Sequence, residues 1–294
     1  MEKKKTEKEK MQDLRIAYVD FWPEWSYENF IQPILDKHFN VILDQKNPDV
    51  LFHSIFGGAK QAKSFKSKKI LFLGENWRPS NFDTNYSISF DPTQANNFRL
   101  PLWQAYLLLW PGLKEYLFNR DKPEEYKRFA AFIVSNPSNN SRIRAFEELS
   151  TYKKVHSYGK VRTNSLELQQ LTRGNMWQAA YLEFFRRTPH KFIMAYENTS
   201  YPFYCTEKIM NAFLAGGIPL YWGDPKVIVD WNLDAFLNVQ KMGNTWIEAI
   251  KTLDNDDSMF NDMMAQPVFK DAQRKMLEDN LASFEEWLIH NINK

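Results

Sequence analysis

The sequence predicts an α/β protein made of two open, mostly parallel sheets, and three observations carry that prediction. Short apolar runs of strand-like length recur along the chain, separated by segments with helical spacing or by polar turns. They fall into two series, divided by the charged, proline-containing stretch RDKPEEYK at 120–127. With 294 residues, 44% of them apolar, the chain can fill two cores at roughly 150 residues per domain. The expected division is a charged arm over 1–10, an α/β domain over 11–125, a second over 126–270, and an amphipathic helix over 271–294.

Each element has its own signal. LRIAYVDFW (14–22) reads as a strand, and residues 25–39 show helical spacing. NVILD (40–44), DVLFHSIFG (49–57) and KKILFLGEN (68–76) read as short buried strands, with SISF (87–90) as another. Residues 100–118, apolar almost all round and bounded by Pro101 and Pro111, read as helical pieces. The second series opens with a strand over 128–136 and a helix over 141–152, capped by Asn139, Asn140 or Ser141. Strands follow at 153–159, 190–198, 218–223 and 235–240, with a helix over 206–216. Residues 245–253 and 271–292 read as closing amphipathic helices. In the last, Leu277, Leu281, Phe284, Leu288 and Ile292 share one face, which points to core packing.

Composition removes several function classes. Lys and Arg number 38 against 36 acids, a net charge of +2, and the arm MEKKKTEKEK carries that whole excess. A nucleic-acid partner is therefore not expected, since no basic field appears. The single Cys205 rules out a disulfide framework and points to a reducing compartment. No apolar run approaches a membrane span and the start is charged, so we expect a cytoplasmic protein with at most peripheral attachment to an inner membrane. Aromatics are abundant at 16%, which suits a thick core and also sugar recognition, because an aromatic ring stacks on the apolar C–H face of a sugar. Asp254-Asn255-Asp256-Asp257 contains an Asp-x-Asp pattern but reads as a solvated turn in a polar loop. The five His residues lack ligand spacing, so no metal is expected.

The most informative stretch is 192–225, FIMAYENTSYPFYCTEKIMNAFLAGGIPLYWGDP. An apolar strand runs into a polar, aromatic loop and then a helix whose first turn holds Glu207 and Lys208, with Thr206 placed to cap it. Open α/β sheets bind ligands beyond the carboxyl ends of their strands, and a helix N-terminus there favours anions. Lys208 opposes the helix dipole at that position yet suits a nearby phosphate, and Glu207 suits sugar hydroxyls. On residue types alone, Thr206-Glu207-Lys208 reads equally as an ordinary helix start.

The stretch resembles the donor motif of the α-1,3/α-1,4-fucosyltransferases, glycosyltransferase family ten, in the bacterial branch found in Helicobacter. The matching residues are Phe192, Glu197, Asn198 and Thr199, then Tyr204, Cys205, Thr206, Glu207 and Lys208, continued by 218–223. Phe132 to Asn136, with Arg142 on the next helix, is similar to a second family block. Gly74-Glu75-Asn76 with Pro79, Asn81 and Phe82, then Ser89-Phe90-Asp91 and Leu100-Pro101, resembles a third. Cys205 departs from the usual Val or Ile, and Tyr158-Gly159-Lys160 departs from a Gly-rich block. We read Cys205 as a small buried hydrophobe.

The resemblance implies the GT-B fold, two Rossmann-like domains facing across a cleft with the nucleotide on the C-terminal one. It implies GDP-fucose as donor and no obligatory cofactor, Mn²⁺ being at most stimulatory. The acceptor would be a lactosamine- or lactose-type sugar, on a lacto-series oligosaccharide or a lipopolysaccharide O-chain. Transfer would go to the 3-hydroxyl of N-acetylglucosamine or glucose, with inversion. By the same resemblance Glu75 is the base, Arg142 and Lys208 hold the diphosphate, and Asn198 and Tyr204 line the nucleotide site. Glu207 contacts the ribose or steadies positive charge on the fucosyl ring. Arg144 competes with Arg142, which fits the family spacing without a gap. Asn198 and Tyr204 also read as a turn residue and a core aromatic.

Overall fold

The computed structural model describes residues 11–120, 122–171 and 177–294, so the expected charged arm over 1–10 lies outside the described residues. The chain divides into two compact units. The first comprises residues up to Trp110 together with Leu277–Lys294, and the second is Pro111–Met276.

In the first unit, strands β1 (Asp13–Val19), β2 (Asn40–Leu43), β3 (Val50–His53), β4 (Lys68–Phe72), β5 (Tyr86–Ser89) and β6 (Asn97–Arg99) form one sheet in the order β2-β1-β3-β4-β5-β6. Every pairing is parallel. All four residues of β3 are buried, as befits a parallel strand covered on both faces. Helices α1 (Trp25–Glu28) and α2 (Gln32–His38) replace the single helix expected over 25–39. Asn29 breaks it: its side-chain oxygen accepts from the backbone N–H groups of Ile31 and Gln32, and Pro33 follows in the new first turn. The run at 40–44, expected to be buried, is the sheet's edge, with Leu43 65% exposed. α3 (Leu102–Leu109) is the first of the helical pieces expected between 100 and 118.

In the second unit, α4 (Gly112–Asn119) precedes β7 (Arg128–Phe132), α5 (Asn140–Ser150) and β8 (Val155–Ser157). Next come α6 (Glu167–Leu171), α7 (Trp177–Arg187), β9 (His190–Tyr196), α8 (Glu207–Leu214), β10 (Ile218–Trp222) and β11 (Leu237–Asn238). α9 (Val239–Met242), α10 (Trp246–Asn255), α11 (Asp257–Ala265) and α12 (Asp271–Asn293) complete the described strands and α-helices. The second sheet runs β11-β10-β9-β7-β8, again all parallel.

The chain changes unit at Trp110/Pro111, ahead of the charged stretch at 120–127. Arg120 explains why α4 goes with the second unit. It is 7% exposed, and its guanidinium donates to the carbonyls of Met263, Gln266 and Ala235 and lies over the Phe213 ring. α12 begins in the second unit, but from Leu277 onward it belongs to the first. There Phe284, Leu288 and Ile292 enter the first core, as their spacing predicts, and Lys68 caps the helix end at the carbonyls of Asn291 and Ile292. Each such side chain adds about 1.5–3 kcal/mol as an upper value.

The Asp-x-Asp stretch is not a polar loop. α10 ends through it and α11 begins, with Asp256 capping α11 by accepting from the Met259 N–H. Asp254, 8% exposed, accepts from Tyr152 and from Lys153 and Lys191, so it is committed to an internal ion-pair cluster. Among the described residues, no helix is long and apolar enough to cross a membrane, and no group of three or more His, Cys, Asp or Glu could hold a metal.

Candidate active site

The strand order of the second sheet reverses between β7 and β9. Loops leaving the carboxyl ends of two such strands diverge to opposite faces and leave a crevice that ligands use in open α/β sheets. The loop after β7 leads into α5 with Arg142, and the loop after β9 leads into α8 with Glu207 and Lys208. The donor residues expected from sequence therefore gather at the switch point of one sheet.

A hydrogen bond ties the two loops together. Asn139 caps α5 by accepting from the Ser141 N–H at 2.8 Å, and its amide donates to the Asn198 carbonyl at 2.8 Å. Of the three candidate caps, Asn139 is the one used. Arg142, 3% exposed, sits in the first turn and donates to the Asn136 carbonyl at 2.8 Å. Arg144, its rival on the same helix, is exposed. Arg162 pairs with Glu147 on α5, and Lys160 is exposed. Gly159 is a steric necessity: a Cβ there would lie 2.1 Å from the Val134 carbonyl oxygen.

The centre of the second loop is Glu197, fully buried just past β9. Its Oε1 accepts from the Thr206 N–H at 2.7 Å and its Oε2 from the Thr206 hydroxyl at 2.6 Å. Lys208 Nζ donates to the Thr206 hydroxyl at 2.9 Å and lies 3.4 Å from Glu197 Oε2 and 3.3 Å from Glu207 Oε1. Thr206 does occupy the N-cap position of α8, but its side chain makes no capping bond to the helix, because Glu197 takes the hydroxyl. Burial pushes the Glu197 carboxyl upward, and the Lys208 charge and the Thr206 bonds draw it back. Gly223 makes room for this carboxylate: a Cβ at that position would lie 2.3 Å from Glu197 Cγ.

This cluster holds Lys208 beside two carboxylates, partly exposed at 28%, so the ammonium is pre-positioned at the helix start while remaining accessible to an anion. Glu207 is partly exposed, Asn198 is half-buried, and Tyr204 and Cys205 are buried at 1% each. Burial raises the Cys205 thiol well above its ordinary value, which fits a packing role. Glu197 was visible in the sequence only as one letter of the motif. Its signal was an acid directly after an apolar strand, and the chain position did not show that it would be buried.

Glu75 belongs to the first unit, on the loop just past β4, and is exposed. The loop is braced from behind by Arg78, which pairs with Asp91 at 2.6 Å, donates to Asn76 and lies 4.4 Å over the Phe90 ring. Asn76, Phe90 and Asp91 belong to the block singled out in the sequence, and Arg78, which that block did not include, links them across β5.

Comparison with known proteins agrees with this layout. A profile of the α-(1,3)-fucosyltransferase FucT N-terminal domain matches residues 16–106, and one of the glycosyltransferase family 10 (fucosyltransferase) C-terminal region matches residues 123–265. The α-(1,3)-fucosyltransferase FucT of Helicobacter pylori is 28% identical over 295 residues, which take in 85% of this chain and 59% of that protein. α-(1,3)-Fucosyltransferase B of Drosophila melanogaster is 28% identical over 217 residues, 69% of this chain and 46% of that one. Human GDP-fucose protein O-fucosyltransferase 3 is 28% identical over 221 residues, 71% of this chain and 44% of that one. The chain thus spans 59%, 46% and 44% of the lengths of these relatives. A crystal structure of an α1,3-fucosyltransferase superposes with a TM-score of 0.71 at 21% identity, covering 95% of this chain and 91% of that one. One solved with GDP-fucose gives 0.68 at 23% identity, covering 89% and 84%. The fold is GT-B, and with its two units matched in order by the two halves of the family's profile, the chain belongs to glycosyltransferase family 10, the fucosyltransferases.

Proposed function

We propose that the protein transfers fucose from GDP-fucose, with inversion, to the 3-hydroxyl of N-acetylglucosamine or glucose in a lactosamine- or lactose-type acceptor. The observation that carries this reading is the gathering of Arg142 and Lys208, from two different strand–helix connections, at the switch point of the second sheet. Two cations at the starts of helices that follow neighbouring strands suit a diphosphate: Arg142 offers a planar fork and Lys208 a point charge. Glu207 takes the ribose hydroxyls or faces the positive charge that grows on the fucosyl ring, and Asn198 and Tyr204 bound the nucleotide. Membership of the fucosyltransferase family and the likeness to a structure solved with GDP-fucose support fucose as the sugar.

In the proposed reaction Glu75 removes the proton from the acceptor hydroxyl as that oxygen attacks the anomeric carbon. The bond from that carbon to the β-phosphate oxygen breaks on the opposite face, and GDP departs. A β-linked donor becomes an α-linked product. Arg142 and Lys208 stabilise the charge that develops on the leaving phosphate, which is where electrostatic help lowers the barrier most.

The test is GDP release from GDP-fucose with and without lactose, coupled to linkage analysis of the product. Lactose-dependent release with a new α-1,3 linkage is the expected result. Release only from another GDP-sugar or nucleotide sugar would reassign the donor, and glycan binding with no turnover would make the protein a lectin-like module.

A further inference from the structure

Beyond the donor site, the first unit carries an unassigned feature beside Glu75. Among the described residues, its exposed aromatic side chains are Phe56 and Trp77, at 41% and 54%. Isolated exposed apolar residues are ordinary on a protein surface. These two are not randomly placed, for each lies on a loop just past the carboxyl end of a parallel strand, Phe56 after β3 and Trp77 after β4. That edge is where open α/β sheets receive ligands. The exposed aliphatic residues of the same unit, Ile42 and Leu43, lie instead on the edge strand β2.

The backbone at Trp77 turns tightly, its main-chain N–H donating to the Glu75 carbonyl at 2.7 Å, and the indole and the Phe82 ring lie edge-to-face with centroids 6.3 Å apart. The next residue, Arg78, is anchored by Asp91 and Phe90. A large apolar ring on a tight turn, backed by Phe82 and still half open to solvent, offers a flat platform. Being two residues apart, Glu75 and Trp77 have Cα atoms at most about 7 Å apart. A sugar resting on the indole therefore places its neighbour within reach of the carboxylate.

We infer that Trp77 is an acceptor-specificity residue: its indole stacks on the apolar face of the sugar ring adjacent to the one that receives fucose. The acceptor it selects is a disaccharide or longer glycan. The inference rests on the proposed fucosyl transfer with Glu75 as base.

Steady-state kinetics of Trp77→Ala and Trp77→Phe, with N-acetyllactosamine and with N-acetylglucosamine alone, test it. Trp77→Ala should raise the KM for the disaccharide about 10-fold, the size of one good aromatic contact. The KM for the monosaccharide should move less than about 2-fold by the same reasoning, since its missing neighbour never touched the indole. Trp77→Phe should recover part of the loss, and GDP affinity measured by calorimetry should match that of the unaltered protein in both variants. An unchanged disaccharide KM, an equal rise with both acceptors, or a fall in kcat alone would each overturn the inference. Failure of the unaltered protein to transfer fucose to either acceptor would overturn the proposed function, and this inference with it.

Discussion

The two sheets present different chemistry beyond their strand ends. In the second unit one hydrogen bond, Asn139 to Asn198, ties the loop after β7 to the loop after β9. Each loop is braced within itself, the first by Arg142 on the Asn136 carbonyl and the second by Glu197 on Thr206 with Lys208 alongside. In the first unit the loop after β4 exposes a carboxylate and an indole, and its single bracing cation, Arg78, is turned to Asp91. A site for a diphosphate needs fixed cations that neither collapse nor wander, which requires buried counter-charges to hold them. A site for an uncharged sugar needs no such charge, only flat apolar surface and one proton acceptor. On the proposed reading, one sheet topology used twice in a chain serves two substrates, with the polar loops of the second unit taking the donor and the open aromatic loop of the first taking the acceptor.

The largest effect expected from disturbing this division is at Glu75. Glu75→Ala should lower kcat by two or more orders of magnitude, the usual size for a positioned base, with GDP affinity unchanged when measured by calorimetry. A matched loss of GDP affinity would blur the two halves into one site. Next come the cations. Lys208→Ala or Arg142→Ala should weaken GDP binding on the order of 10- to 100-fold, since hydrogen bonds to charged groups contribute about 1.5–3 kcal/mol. The loss in kcat/KM should be larger still, because the contact strengthens in the transition state. Arg144→Ala, altering an exposed side chain, should bind GDP normally. Normal GDP binding by both cation variants would remove the donor assignment.

A third prediction sharpens the contrast through stability. His190 is buried at the start of β9, with Nε2 2.9 Å from the Tyr158 hydroxyl and Nδ1 2.7 Å from the Thr188 carbonyl oxygen. Burial holds its pKa down at about 3, against an ordinary 6.5. A depressed folded-state value means the unfolded chain takes up the proton first. The contribution of His190 is therefore fully present above pH 6.5 and is lost progressively as pH falls toward about 3. Thermal melts should show the second unit losing stability over that window, and His190→Phe should flatten the slope there. An equally steep slope in the variant would contradict the assignment. The smallest effect is expected from chelation: with Arg142 and Lys208 neutralising the leaving group, a substantial fraction of activity should persist in EDTA, and Mn²⁺ should at most stimulate. Complete loss restored only by Mn²⁺ would show that the donor half needs a metal.

Much of this arrangement was legible from the residues. The apolar runs at 49–57, 68–76 and 190–198 marked parallel strands because both faces of such strands are covered, leaving almost no polar alternation. The face Leu277–Phe284–Leu288–Ile292 marked a core helix. The helix starts at Asn139 and Thr206 were visible as caps, though only the first caps with its side chain. The split of residues 25–39 was missed because helical spacing outweighed Asn29 and Pro33, and the exposure of Leu43 because apolarity alone does not tell an edge strand from a central one.

By itself, then, the sequence determined the two α/β series, the donor motif around Glu207 and Lys208, and the carboxylate at Glu75. Hydrophobic period and local capping are short-range properties, and a motif is a string. Strand order came only with tertiary structure, and with it the switch point that brings the loops after β7 and β9 together from residues some 60 apart, as the Asn139–Asn198 bond records. So did the burial of Glu197, which turns an acid in a motif into the anchor of Lys208, and the burial of Arg142 beside an exposed Arg144. Those depend on which side chains lose water when distant segments pack, and desolvation is set by the assembled core.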